Sequence, residues 1–217
     1  MPAQNNLALQ VALGWLFVQT CFVKNLIDAP QFWRGVMPIP LGTNDHEIEI
    51  LRLLEDLPVE VGIPEHVRQL LLQAGQSFAM KTAHDYLASA DDKKKSTGAK
   101  IAMFVDAEEN VELILPLLDE TNTLLRWQAV DFIARSRKFL EGGGVFVDRI
   151  TKALLEDSSP LVRVEAAGML GYCKITPNVI SALEYARDHD FETYDGYWAG
   201  YIAENSLKRI QERQADS

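Results

Sequence analysis

Between Val111 and about Ile210, apolar and small residues return in blocks with helical spacing, and the order of the blocks repeats. Ala129, Ala166 and Ala203 recur at one step of 37 residues. The same step links Leu125, Val162 and Ala199, and also Ile133, Leu170 and Leu207. Within each copy these positions fall at i, i+4 and i+8, a single stripe of an α-helix. Alanine at the centre of the stripe lets neighbouring helices approach closely. Self-similarity at a fixed period is the mark of stacked helical units. The second copy is the clearest: an apolar helix Phe146–Asp157, a turn Ser158-Ser159-Pro160, and a second helix Leu161–Gly171. The third copy has a longer loop between its helices.

Local signals place the ends of these elements. Val111, Ile114, Leu115 and Leu118 form the i, i+3, i+4, i+7 face of the first repeat helix, which Pro116 should kink. Asp106-Ala-Glu-Glu109 caps that helix, and Gly142-Gly143-Gly144 links the first two hairpins. Ser159 with Pro160, and Thr176 with Pro177, are N-cap and N1 pairs. Upstream, Leu7 to Val23 reads as a buried helix with Trp15, Val18 and Phe22 on one face. It has no preceding Lys or Arg and is interrupted by Gln10, Gln19 and Thr20, unlike a signal peptide or a membrane span. Pro30, Pro38, Pro40 and Gly42 punctuate a connection. Asn44 and Glu47 start a helix whose face is Ile50, Leu53, Leu54 and Leu57. A long helix from about Pro64 to Ala90 follows, with Val67, Leu70, Leu71, Ala74, Phe78 and Leu87 inward. Ala90–Gly98, the most polar run, is expected to be an exposed loop. It divides residues 1–98, an irregular helical part, from repeats over residues 99–212 within one continuous fold. No alternating strand pattern is present, so the expected class is all-α.

Val111-Glu-Leu-Ile-Leu-Pro-Leu-Leu-Asp119 with Leu125-Arg126-Trp-Gln-Ala129, and Asp157-Ser-Ser-Pro160-Leu-Val-Arg163-Val-Glu-Ala-Ala167, resemble HEAT-like repeats. The resemblance implies a right-handed α-solenoid of stacked hairpins with the N-terminal part as a cap. It also implies a proline inside the first helix, which Pro116 matches, and an aspartate–arginine ladder between repeats. Asp119 with Arg126, and Asp157 with Arg163, are the residues that fit the ladder. The third copy departs, with Gly200 where the arginine would stand, as suits a terminal unit.

Charge narrows the partners. Against 31 Asp and Glu stand 21 Lys and Arg, a formal net charge of −10. Such a surface repels phosphate backbones and anionic lipid and suits basic proteins. Nucleic-acid and membrane partners are therefore not expected. Lys93-Lys94-Lys95 is the one cationic run, and Asp91 and Asp92 flank it. Cys21 and Cys173 are far apart in apolar contexts and read as reduced, buried thiols of a cytoplasmic protein. His46, His66, His84 and His189 form no ligand set with metal spacing. His46-Glu47 is similar to one His-Glu pair of the HEAT-like di-iron hydroxylases, which need several, and reads as a capped helix start. Asp188-His189-Asp190 reads as a solvated acidic turn. No catalytic residue, cofactor or metal is expected.

One constellation stands out: Tyr185, Asp188, His189, Asp190, Phe191, Glu192, Tyr194, Asp195, Tyr197, Trp198 and Tyr201. Rings interleaved with acids form an anchor-and-steer surface for a basic protein. Equally, several rings can be core of the last repeat, with Trp198 or Tyr201 inward and Tyr194 and Tyr197 partly exposed. Asp188, Asp190, Glu192, Tyr194, Asp195, Tyr197 and Trp198 are the candidate partner-binding residues. The resulting expectation is a non-enzymatic binding module, an adaptor or an inhibitor in the manner of immunity proteins. The alternative, from HEAT-like relatives, is a groove enzyme resembling phycobilin lyases or base-excision glycosylases.

Overall fold

A computed structural model describes residues 43–58, 62–142 and 144–216. The readings of Leu7–Val23, the Pro30–Gly42 connection, Cys21 and the His46 side chain lie outside the described residues. What is described is almost wholly helical. The α-helices are α1 (Thr43–Glu55), α2 (Glu65–Ala74), α3 (Gln76–Leu87), α4 (Asp92–Asn110), α5 (Thr123–Ala134), α6 (Arg137–Leu140), α7 (Gly144–Glu156), α8 (Pro160–Leu170), α9 (Pro177–His189) and α10 (Ala199–Ala215). A 3₁₀ helix covers Val111–Asp119.

The 37-residue stripe is the spine of the core. Leu125, Ala129 and Ile133 on α5, Val162, Ala166 and Leu170 on α8, and Ala199, Ala203 and Leu207 on α10 are all buried. Helix α8 packs between α5 and α10, while α7 packs on the 3₁₀ helix on one side and α9 on the other. Each second helix also packs on the first helix of its own copy: α5 on the 3₁₀ helix, α8 on α7, α10 on α9. Helices α8 and α9 begin at Pro160 and Pro177 as expected, and Thr176 Oγ1 accepts from the Val179 amide (3.3 Å).

Four expectations need correction. Ala90–Gly98 is not a loop. Asp91 caps α4 by accepting from the Lys93 and Lys94 amides, and Ser96, Thr97 and Gly98 are buried. A Cβ at Gly98 would stand 2.8 Å from the Ala83 carbonyl oxygen, so small residues on α3 and α4 bring the two backbones together. Helix α4 itself runs unbroken across the expected 98/99 boundary. The long helix over residues 64–90 is broken at Gly75, whose φ of 91° lies in the region that favours glycine. Pro116 does not kink an α-helix; the whole segment around it winds as 3₁₀. Finally, Thr193–Tyr194 (β1) and Tyr197–Trp198 (β2) form a two-stranded antiparallel hairpin. Asp195 (φ 50°) and Gly196 (φ 80°) make its turn, the Asp-Gly chemistry of a two-residue hairpin.

Candidate functional site

Arg126 and Arg163 occupy equivalent places on α5 and α8, and each spans two turns. Arg126 donates from Nη1 to the carbonyls of Glu120 and Thr121 (both 2.9 Å), and from Nε and Nη2 to Asp157 (2.7 and 2.9 Å). Arg163 repeats the arrangement one copy later. It donates from Nη1 to the Asp157 carbonyl (2.8 Å) and from Nε to Asp190 (2.6 Å), and Nη2 reaches Glu192 (2.6 Å). Both side chains are only 11% exposed. Hydrogen bonding to Asp157 and to Asp190 pushes the two guanidinium pKa values up, against the opposing effect of burial. Such fork-to-carboxylate pairs fix position as well as charge.

Arg126 and Arg163 thus each hold a carboxylate other than the one the sequence paired with them. Asp119 does not face Arg126; it accepts from Arg149 Nη2 (2.7 Å) on α7 and is largely exposed. Glu120, one 37-residue step before Asp157, takes the equivalent place and accepts from Lys95 (2.6 Å). Asp157 joins Arg126 through its carboxylate and Arg163 through its carbonyl. Asp190, expected to steer a partner, is instead the carboxylate of the last rung. Its side chain is 14% exposed, because Arg163 holds it. In the third copy Gly200 replaces the arginine for a steric reason. A Cβ there would lie 2.8 Å from the Asp190 carbonyl and 2.9 Å from that of Ala186, where α10 meets the end of α9.

Above the last rung is a cavity of about 330 Å³ between the ends of α7 and α9. Leu155, Tyr185 and Phe191 give it apolar walls, and Glu156, Asp157, Asp190 and Glu192 give it carboxylates around Arg163. Leu155, Tyr185 and Phe191 are exposed, Phe191 most of all at 66%. The Tyr185 ring stacks on His189, with centroids 4.3 Å apart. Glu192 keeps 70% of its side chain in solvent while bound to Arg163.

Of the other candidates, Asp188 is exposed and paired with its neighbour Arg187 (2.7 Å), whose hydrogen bond lowers its pKa. Tyr194, Asp195, Tyr197 and Trp198 form the hairpin and do not line the cavity. Tyr194 is exposed, and Tyr197 and Trp198 are half-buried. Trp198 packs near Tyr201 at 5.5 Å between centroids, and Tyr201 is itself 43% exposed. Exposure thus varies residue by residue along this stretch. Leu155 and Glu156 were missed because they belong to the preceding copy. Their cue was an apolar–acidic pair just before the turn at Asp157.

A second polar cluster sits inside the α5–α8 contact. Glu165 is buried and accepts from Trp127 Nε1 (3.1 Å). Burial, and then the nearby Asp131 charge, push its carboxyl up to about 8, against the Trp127 hydrogen bond and Arg135. Burial also raises Asp131, opposed by Arg135, which donates to it from Nε (2.8 Å). Glu165 thus holds a proton at neutral pH beside an Asp131–Arg135 ion pair.

No family model matches the chain, and no curated protein matches it. Among the described residues, no helix is long and apolar enough to cross a membrane, and no three His, Cys, Asp or Glu are placed to hold a metal ion. Cys173 is buried; burial raises its pKa, and its thiol points to the Leu170 carbonyl (3.3 Å).

Proposed function

We propose that the chain is a HEAT-like α-solenoid that binds a basic protein, as an adaptor or an inhibitor, through the groove at the α7–α9 edge. The solenoid reading is supported by the buried 37-residue stripe and by successive arginine–carboxylate rungs. The observation that carries the binding reading is the groove itself. Exposed Leu155, Tyr185 and Phe191 stand beside Glu156 and Glu192 in one concavity. Lysine or arginine side chains of a partner fit both features, laying their stems or guanidinium planes on the rings and their charge against the carboxylates. Asp190 serves as scaffold here, and Glu192 contributes its solvent-facing side. The hairpin residues Tyr194 and Asp195 extend the surface, with Asp188 adding long-range charge. The net charge of −10 favours such encounters and opposes polyanions.

The test is comparative capture from the native host with wild type and a Tyr185→Ala/Phe191→Ala variant of unchanged melting temperature. A basic protein retained by wild type and lost by the variant supports the proposal. Equal retention by both removes the groove from the interface.

A further inference from the structure

A second concavity, of about 400 Å³, lies on the α8–α10 seam and shares no lining residue with the α7–α9 groove. Its lining includes Gly168, Tyr172, Ile202, Asn205, Lys208 and Arg209, with Glu212 at the end of the same α10 face. The volume falls within the range of small-molecule sites, roughly 300–1,000 Å³.

Arg209 sets this pocket apart. Among the described residues, each of the other arginines reaches a carboxylate or a main-chain carbonyl. Arg209 forms no such pair with any described residue, and its buried Nη1 has no hydrogen-bond partner among them. The guanidinium is nonetheless held in place. It lies 4.2 Å over the Tyr172 ring, and Gly171 makes room for it, since a Cβ there would stand 2.6 Å from Nη1. In a chain with a large acidic excess, a fixed arginine left without a carboxylate is placed to take one from outside. A guanidinium fork on an aromatic face matches a planar carboxylate.

We infer that this pocket binds a small monocarboxylate. Lys208 adds a second positive charge from the exposed face of α10. Asn205 supplies an amide able to donate to the second oxygen, and Tyr172, Ile202 and the bare Gly168 backbone offer an apolar floor for the rest of the molecule. Glu212 decides between anions: its negative charge disfavours a dianionic phosphate more than a singly charged carboxylate. The partner-binding groove has no part in this argument, so the two proposals stand or fall separately.

The probes are benzoate, its neutral isostere benzamide, and inorganic phosphate, titrated into the full chain at constant ionic strength. The readouts are calorimetry and the Nε–Hε NMR resonance of Arg209, assigned by its loss in Arg209→Lys. Benzoate is expected to shift that resonance at millimolar concentrations, phosphate to bind more weakly, and benzamide not to bind. Arg209→Gln should weaken benzoate at least tenfold. Lys208→Glu, an exposed change that leaves the packing alone, should also weaken it severalfold, so a poorly folded Arg209→Gln does not end the test. Benzamide binding as well as benzoate, phosphate binding more tightly, an unmoved Arg209 resonance, or benzoate affinity unaltered by Lys208→Glu would each overturn the assignment.

Discussion

Replacing Glu165 by glutamine should stabilise the protein, and the gain should grow with pH. Gln128 stands one 37-residue step earlier, also buried, so the chain already uses glutamine at the equivalent place. In the folded state the Glu165 carboxyl is pushed from 4.5 up to about 8 by burial and by the charge of Asp131. A raised carboxyl pKa means that folding takes up a proton. The associated stability is fully present below about pH 4.5, declines as pH rises through the folded value, and is gone above about pH 8. A difference of one pH unit between the folded and unfolded pKa values is worth about 1.4 kcal/mol. The full interval therefore amounts to about 5 kcal/mol as a ceiling, and water entry and relaxation around the charge reduce it to a few. The groups facing Glu165 are Trp127, Asp131 and Arg135, all on α5 or at its end. Glutamine keeps an oxygen for the Trp127 N–H and has no proton to lose. Urea and thermal unfolding of both proteins at pH 5, 7 and 9 measure the effect. The two should agree near pH 5, and the variant should be more stable by about 2 kcal/mol or more at pH 9, roughly 4–8 °C in Tm for a chain of this size. Parallel stability–pH curves would refute the reasoning, since Glu165 would then titrate alike in the folded and unfolded states.

Arg163→Ala leaves Asp190 without its partner and should cost about 3 kcal/mol or more in chemical denaturation, because a largely buried carboxylate loses its counter-charge; a loss below about 1 kcal/mol would make the rung ornamental. Gly200→Ala pushes a methyl group against the Asp190 and Ala186 carbonyls and should destabilise by about 1–3 kcal/mol. An unchanged Tm there would mean that the α9–α10 junction yields freely.

Legibility from sequence followed how local each signal was. The stripe at 129, 166 and 203 was readable because burial in helices leaves a fixed period, and its members are all buried. Asp157, Arg126 and Arg163 were readable as ladder residues, but not which carboxylate each arginine takes. Arg126 passes over the nearby Asp119 to reach Asp157, a choice made by tertiary packing that brings the end of α7 to α5. Helix α4 looked like a loop because its first residues are charged. Ser96, Thr97 and Gly98 are buried there, and Gly98 meets Ala83 and Tyr86 of α3, a contact between surfaces with little hydrophobic periodicity. The hairpin was present as Asp195-Gly196 between Tyr194 and Tyr197-Trp198, but two-residue strands leave no alternation to read. Glu165 offered one cue, a lone acid among Val164, Ala166 and Ala167, yet its partners stand on another helix.

The central claim, capture of a basic protein in the Leu155–Tyr185–Phe191 groove, is tested most directly by association and dissociation kinetics with the captured partner across a salt series. The same series should be run on Phe191→Ala. Electrostatic attraction is screened over about 8 Å at physiological ionic strength, so the association rate should fall as salt rises. Phe191 is mostly exposed, so its truncation should leave Tm unchanged. It should speed dissociation at least tenfold, as loss of a central ring anchor does. Salt-independent association together with unaltered dissociation in Phe191→Ala would contradict the account.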